Sequence, residues 1–476
     1  MNPRSSFISV LALLQFACNP MPNPPASATS GPALTTAPLN PAELDSIIRK
    51  VVTDKKLIGL TVGVMQNGNV VLAKGYGTRT LKPGDSVTAS TLFAVGSVTK
   101  EFTCTTALLL AQDGKLSMQD KVAKYFPKLT RAADITLLDL GQHVTGYRDY
   151  YPLDFVDREM QKPTPADSII VEYAARPLDF EPGSRWSYSN TNFLILGRAI
   201  EIAGGKPVQQ QFAERIFGPL GMDHTKYELP RNDPNAASGY TTFALGAAFP
   251  ALPEADGWVG AAGAIWSTPT DLMKWDLGLM DGKVLAKESY RLLTTPRTLT
   301  DSRSTGYGCG LSANINGETI ILSHGGAVSG FVATNIFVPA TRSAVVVMSN
   351  ADGAATGAIT DAIVPRLVPR VTVPKIEGSP ALAAATTLLQ QIIDGKVDRA
   401  TLGDDYNAHL TPALAEAARA SLRKEGAVTG LRLLRTVERG GMEVAVVAFK
   451  AGATDARALM YRSPDGKIQE FLITRQ

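Results

Sequence analysis

Cysteine is scarce in this chain, with 3 among 476 residues. That excludes a disulfide framework. Cys18 falls in the leader described below, which leaves Cys104 and Cys309, far apart in sequence and expected as two buried free thiols. Histidine is scarce as well. The 4 histidines, at 143, 224, 324 and 409, are scattered and no His-Glu-x-x-His occurs, so no metal site is expected. A phosphate-binding glycine loop and a Gly-x-Ser-x-Gly elbow are both missing, and no cofactor is expected. Nor is there an excess of charge of one sign. The 47 basic and 44 acidic residues leave a net +3, and no basic run carries interleaved aromatics, so nucleic acid is not an expected partner.

What is present is the composition of a globular protein, 45% hydrophobic and 19% charged, at a length that calls for two domains or one large and one small. Residues 1–18 resemble an export leader. Arg4 supplies a positive start, and Phe7 to Ala17 is apolar but too short to span a bilayer. Cys18 is a candidate lipid-attachment site, weakened by Gln15 where lipoproteins have leucine; cleavage near Ala26-Ser27-Ala28 is the alternative. Residues 19–39, rich in Pro, Ala, Ser and Thr, are expected to be a disordered spacer. The expected location is exported, either periplasmic or lipid-anchored to the cell envelope. The membrane is a partner only through Cys18.

Further along, Asn40-Pro41-Ala42-Glu43 reads as a helix start, and the helix should reach about Lys56. Ile58–Met65 and Val70–Gly77 read as strands turning at Asn67-Gly68. From Ser97 to about Gly282 the pattern is mostly helical: Ser97–Gln112, Phe193–Ala203 closed by Gly204-Gly205, and a helix capped by Thr268. Strands return at Leu311–Ile315, Glu318–Ser323, Phe331–Val338 and Ser343–Ser349. The expectation is an α/β (α+β) domain over 40–370. Its antiparallel sheet is built from both chain ends, with a helical region inserted between them. After a Pro-containing linker, 376–476 should form a small α+β domain, with helices Ala381–Asp394 and Pro412–Lys424 followed by four strands.

One short stretch concentrates the chemistry. Ser97 and Lys100 stand three residues apart at the start of a helical pattern, where i and i+3 share a face. A serine hydroxyl needs a base, and a desolvated lysine can be one. Spacing alone is weak, since Ser421-Leu-Arg-Lys424 repeats it on what reads as an exposed helix face. Two more segments carry matching chemistry. Tyr188-Ser189-Asn190 is the only Tyr-x-Asn, and a phenol can shuttle protons if a cation such as Lys100 lowers its pKa. His324-Gly325-Gly326 is the only His-x-Gly; it closes a strand, and its glycines should let a substrate backbone approach.

Together, Ser97-Val98-Thr99-Lys100, Tyr188-Ser189-Asn190 and His324-Gly325-Gly326 resemble the three ordered motifs of the penicillin-recognising serine hydrolases. The Tyr-x-Asn version is similar to class C β-lactamases, the DD-carboxypeptidase and D-aminopeptidase peptidases and related esterases. Phe93–Phe102, Pro182–Gly197, Phe217-Gly218-Pro219-Leu220-Gly221-Met222 and His324–Phe331 fit as well, and the likeness covers about residues 40 to 365. It implies a β-lactamase/transpeptidase-like fold with Ser97 as the acylated nucleophile. Lys100 and Tyr188 would share the acid–base work, and Asn190 would orient Lys100 and the substrate. His324, Gly325, Gly326 and Ala327 would line the substrate, with the oxyanion between the backbone N–H groups of Ser97 and Ala327.

Two positions depart from the family pattern. His324 stands where many β-lactamases have lysine, and a histidine is mostly neutral at pH 7, which weakens carboxylate recognition. Gln142-His143-Val144-Thr145-Gly146 replaces Ser-His-Thr-Ser-Gly, and His143 is read as structural. The expected activity is therefore hydrolysis of an amide or ester through an acyl-enzyme, on a D-amino-acid peptide, a small acyl ester or a β-lactam, with His324 favouring a peptidase or esterase over a dedicated β-lactamase. The alternative is a penicillin-binding or sensor module of the same fold without turnover. The loops Tyr147–Pro182 and Tyr227–Val259 are expected to line the site, and the C-terminal domain is a candidate for substrate selection.

Overall fold

The first helix begins where a cap is available. The Asn40 side chain accepts from the Ala42 N–H at 2.9 Å, Pro41 needs no partner for its nitrogen, and the helix runs Pro41–Asp54. The structure is a computed structural model and describes residues 36–475, apart from 154, 230–232, 245, 317–318, 355 and 369–374. The leader with Cys18, the spacer as far as residue 35 and much of the linker lie outside the described residues. The chain divides into two units, one ending at Leu367 and the other running Val368–Gln476.

In the first unit, strands Gly59–Gln66 and Asn69–Gly77 form a hairpin. Asn67 and Gly68 at its turn take φ of 53° and 77°, the left-handed pair that a two-residue turn matched to strand twist requires. Strands Ser312–Asn316, Thr319–Val328, Phe331–Val338 and Ser343–Ser349 complete the sheet. Its order is Asn69–Gly77, Gly59–Gln66, Ser343–Ser349, Phe331–Val338, Thr319–Val328, Ser312–Asn316, all antiparallel. The two chain ends thus meet as neighbouring central strands, Val62 opposite Val347. Both strands are buried at every position, as expected of a sheet covered on both faces. Helix Pro269–Met280 packs on this pair so closely that a Cβ on Gly63 would come within 2.9 Å of Pro269 and Met273 side chains.

The insertion is organised around helix Thr99–Gln112, which is buried on nearly all sides. Cys104 on that helix is bonded to Cys309, which corrects the expectation of free thiols. A sequence separation of 205 hides the pairing, because the fold alone brings the two residues together. Two glycines make room for the bridge. A Cβ on Gly141 would lie 2.4 Å from the Cys309 sulfur, and one on Gly310 would lie 3.2 Å from that of Cys104.

The second unit is a four-stranded antiparallel meander, Val428–Arg439, Met442–Ala451, Thr454–Arg462 and Ile468–Arg475, with helix Ala381–Asp394 packed on its first two strands. Helix Asp404–His409 has too few turns to show a periodicity in sequence. Ser421 and Lys424 lie exposed on helix Pro412–Glu425.

Candidate active site

Ser97 is delivered by a short strand and a tight turn. Phe93–Ala94 pairs with Ile265–Ser267, Gly96 takes φ of 51°, and Gly96–Val98 forms a 3-10 turn that leads into Thr99–Gln112. The helix expected from Ser97 therefore opens with a tighter first turn, leaving the Ser97 N–H at a helix N-terminus. The strand that carries His324 does not stop there but continues to Val328, and its backbone presses on this turn. A Cβ on Gly326 would fall 1.9 Å from the Val95 carbonyl oxygen, and one on Gly96 would fall 2.8 Å from the Ala327 nitrogen. The approach that needs glycine here is that of the protein's own turn carrying Ser97.

Lys100 is fully buried behind the serine. Its Nζ lies 3.0 Å from Ser97 Oγ, 2.8 Å from Asn190 Oδ1 and 2.8 Å from the Ala262 carbonyl oxygen. An ammonium has three N–H donors and meets three acceptors. A neutral amine keeps two donors for Asn190 and Ala262 and turns its lone pair to Ser97. Burial pushes the Lys100 pKa down to about 7, against the opposing charge of Asp149. Tyr188 lines the cavity together with Ser97, and the Lys100 nitrogen lies 4.8 Å from its ring centre. Burial drives this phenol well up, outweighing the opposing influence of Ser97. The expectation of a cation-lowered tyrosine is thereby corrected: desolvation dominates both groups, so that Tyr188 keeps its proton while Lys100 gives one up.

Asn190 opens helix Asn190–Gly204, three residues earlier than periodicity indicates. Its backbone N–H donates to Asp149 Oδ1 at 2.9 Å and its Nδ2 lies 3.2 and 3.3 Å from the two Asp149 oxygens. Asp149 thus fixes the amide with Oδ1 toward Lys100. Sequence reasoning missed this residue, because one acid in the loop Tyr147-Arg148-Asp149-Tyr150-Tyr151 carries no local signal. The Ala262 carbonyl, on the short helix Gly260–Gly263, was missed for the same reason.

His324 is buried with Nδ1 2.5 Å from the Gly325 carbonyl and Nε2 2.8 Å from the Tyr307 hydroxyl. A neutral ring satisfies both contacts, donating from Nδ1 and accepting at Nε2. Burial, and then the charge of Lys100, push its pKa down to about 3, against the Gly325 carbonyl. His143 is buried with φ of 57°. Its Nδ1 accepts from the Ser189 N–H at 3.1 Å, and its ring centre lies 4.3 Å from that of Tyr188 and 5.2 Å from that of Tyr307. It props the tyrosine from behind. Deeper still lie two carboxyl groups. Glu101 takes the Trp275 indole N–H at 2.7 Å, and Asn335 Nδ2 bridges Glu101 Oε2 at 3.2 Å and Asp276 Oδ1 at 2.8 Å. Both acids are fully buried. Burial raises Glu101 to about 8 and Asp276 well above its ordinary value.

A cavity of about 800 Å³ opens on Ser97 and is lined by Tyr188, Asn190 and Ala327 among others. His324, Gly325 and Gly326 are not part of its lining. A serine at a helix N-terminus, held by a buried lysine and a protonated tyrosine at the mouth of such a cavity, defines a serine hydrolase of the transpeptidase-like class. Residues 44–368 match the Beta-lactamase family, and the chain belongs to that family of serine hydrolases. The D-aminopeptidase of Brucella anthropi is 29% identical over 66% of this chain and 60% of its own length, so the match leaves much of that relative uncovered. Among solved structures, the D-amino acid amidase from Ochrobactrum anthropi SV3 aligns with TM-score 0.58 and 24% identity, covering 68% of this chain and 97% of that one. The octameric penicillin-binding protein homologue from Pyrococcus abyssi aligns with TM-score 0.61 and 19% identity, over 92% of this chain and all of that one. At these identities the structures establish the fold alone.

Proposed function

We propose that the chain hydrolyses amides through an acyl-enzyme on Ser97. The observation that carries this reading is the buried Lys100, 3.0 Å from Ser97 Oγ with its other two N–H donors occupied. Neutral Lys100 takes the hydroxyl proton as Ser97 attacks the carbonyl carbon. The oxyanion forms between the N–H groups of Ser97 and Ala327. Tyr188 gives its proton to the leaving nitrogen as the C–N bond breaks, and the Lys100 ammonium restores it. Water then attacks the acyl-enzyme carbonyl, gives its proton back through the same groups, and releases the acid and Ser97. The names D-aminopeptidase and D-amino acid amidase among the relatives support an amide substrate over an ester or β-lactam. A disulfide in the insertion and the apolar leader support an exported, oxidising location.

The test is Ser97→Ala. It should abolish p-nitroanilide hydrolysis by at least about 10⁴-fold and remove covalent labelling by a fluorophosphonate. Labelling that survives the substitution overturns the assignment. A stoichiometric burst with no steady state would instead identify a module that acylates without turnover.

A further inference from the structure

We propose that the cavity selects acyl donors carrying a free ammonium group beside a bulky apolar side chain, and that Asp352 holds the ammonium. This rests on the amide-hydrolase reading above and adds which end of the substrate is recognised.

The charges at the wall all have one sign. Asp149 and Asp352 line the cavity, and among the described residues no lysine, arginine or histidine does. Lys100 sits behind the serine with its donors taken, and His324 is neutral and turned into the protein against Tyr307. A substrate carboxylate entering here would lose its water and meet acids, which is costly. An ammonium would meet the partner it needs.

The two acids are not equivalent. Asp149 is occupied by the backbone and side-chain nitrogens of Asn190 and by the Tyr151 N–H. Asp352 follows the central strand Ser343–Ser349, and its N–H is fixed to the Tyr240 carbonyl at 3.0 Å. Among the described residues its carboxylate has no hydrogen bond and no ion pair. A held backbone with an unpaired anion at the wall of the reactive cavity is a prepared cation partner. Glu254 adds negative potential just behind the wall, where it takes the Tyr151 hydroxyl at 2.8 Å and the Ser329 N–H at 3.0 Å.

The rest of the wall is apolar and uncovered. Leu153, Phe155, Phe249 and Leu252 all line the cavity with between 47% and 62% of their surface exposed. Large side chains left open together mark a ligand surface. A substrate side chain of phenylalanine size fills such a wall, and the cavity volume admits it.

The experiment uses the full chain with three matched p-nitroanilides of phenylalanine, tested in both D and L forms: the free amine, the N-acetyl and the N-succinyl derivative. The free amine should exceed the N-acetyl substrate by about tenfold to a hundredfold in kcat/KM, the range of one charge-assisted contact, and the succinyl substrate should be worst. Asp352→Asn should bring the free-amine to N-acetyl ratio close to one, mainly through KM. Protection of Ser97 from fluorophosphonate gives a second readout that needs no turnover: 2-phenylethylamine should protect and 3-phenylpropionate should not. Equal rates for free and acetylated substrates, an unchanged ratio in Asp352→Asn, or better protection by the carboxylate overturns the proposal. Those failures leave the nucleophile assignment standing as long as Ser97→Ala is inactive. Hydrolysis that survives Ser97→Ala would instead remove the reading on which the proposal rests.

Discussion

The pH dependence of catalysis should shift when Asp149 loses its charge. Lys100 acts as a base only when deprotonated, and its pKa of about 7 is the sum of two opposed effects. Burial lowers it and the Asp149 carboxylate raises it, through Asn190 as the intervening amide. Two hydrogen bonds and an amide separate the charges by on the order of 7 Å, so an effective dielectric constant of about 20 gives about 2 kcal/mol, or about 1.5 pH units. In wild type, kcat/KM should rise with pH through an acid limb near 7. In Asp149→Asn the limb should move down by about 1 to 2 units. The plateau should also fall, because the new amide presents N–H donors to the Nδ2 group of Asn190. The assay is a kcat/KM profile from about pH 5 to 9 on a p-nitroanilide without ionisable groups, so that only the enzyme titrates. The fall in plateau reports lost bracing, and the position of the limb reports lost charge. A limb that stays in place, or that moves up, would refute Lys100 as the titrating base with Asp149 as its counter-charge.

Glu101→Gln should stabilise the protein increasingly as pH rises. The folded-state pKa of Glu101 is raised to about 8, so the wild-type carboxyl contributes fully below its unfolded value and loses stability as pH climbs through about 8. Relative to wild type, the variant should gain up to about 1.4 kcal/mol per pH unit in that window, read from urea midpoints; a difference that does not change with pH would sink the assignment. Replacing Cys104 and Cys309 together by alanine opens a link across 205 residues and should cost about 2–5 kcal/mol. All 4 tryptophans, at 186, 258, 266 and 275, lie in the first unit, so their fluorescence reports its unfolding, and an unchanged midpoint under oxidising conditions contradicts the role given to the bridge. His324→Lys should change kcat/KM for nitrocefin by less than about tenfold, because burial beside Lys100 disfavours a second ammonium; a hundredfold gain would show that the position can hold a charge.

The sheet was legible because its signals are local. Asn67-Gly68 fixes one hairpin, and Phe331–Val338 and Ser343–Ser349 have the limits that alternation and turn residues dictate. The three motifs were legible as chemistry because serine, lysine, tyrosine and histidine recur at spacings tied to one family. Contacts set by long-range packing stayed hidden. Cys104 meets Cys309, Glu101 and Asp276 share Asn335, and the Ala262 carbonyl meets Lys100 only once the chain has folded. The state of Tyr188 was misread on the same ground. Proximity to a lysine can be inferred from motifs, but the depth of burial that decides between attraction and desolvation cannot.

Desolvation also joins the chemistry to the selectivity. The same exclusion of water that brings the Lys100 pKa down to about 7 keeps His324 and His143 uncharged. Under the mechanism proposed above, a site built in this way would gain a base without a partner histidine or metal, and among the described residues it leaves no cation on the cavity lining to hold an anionic substrate. The charges that reach its cavity are then those on the partly open loops, where water can still solvate them, and among the described residues those are Asp149 and Asp352. If the serine is activated by a dry lysine in this way, the substrate charge can be chosen at the rim. Here the described rim is acidic, and under the mechanism proposed above the oxyanion of the intermediate would rest on the backbone N–H groups of Ser97 and Ala327.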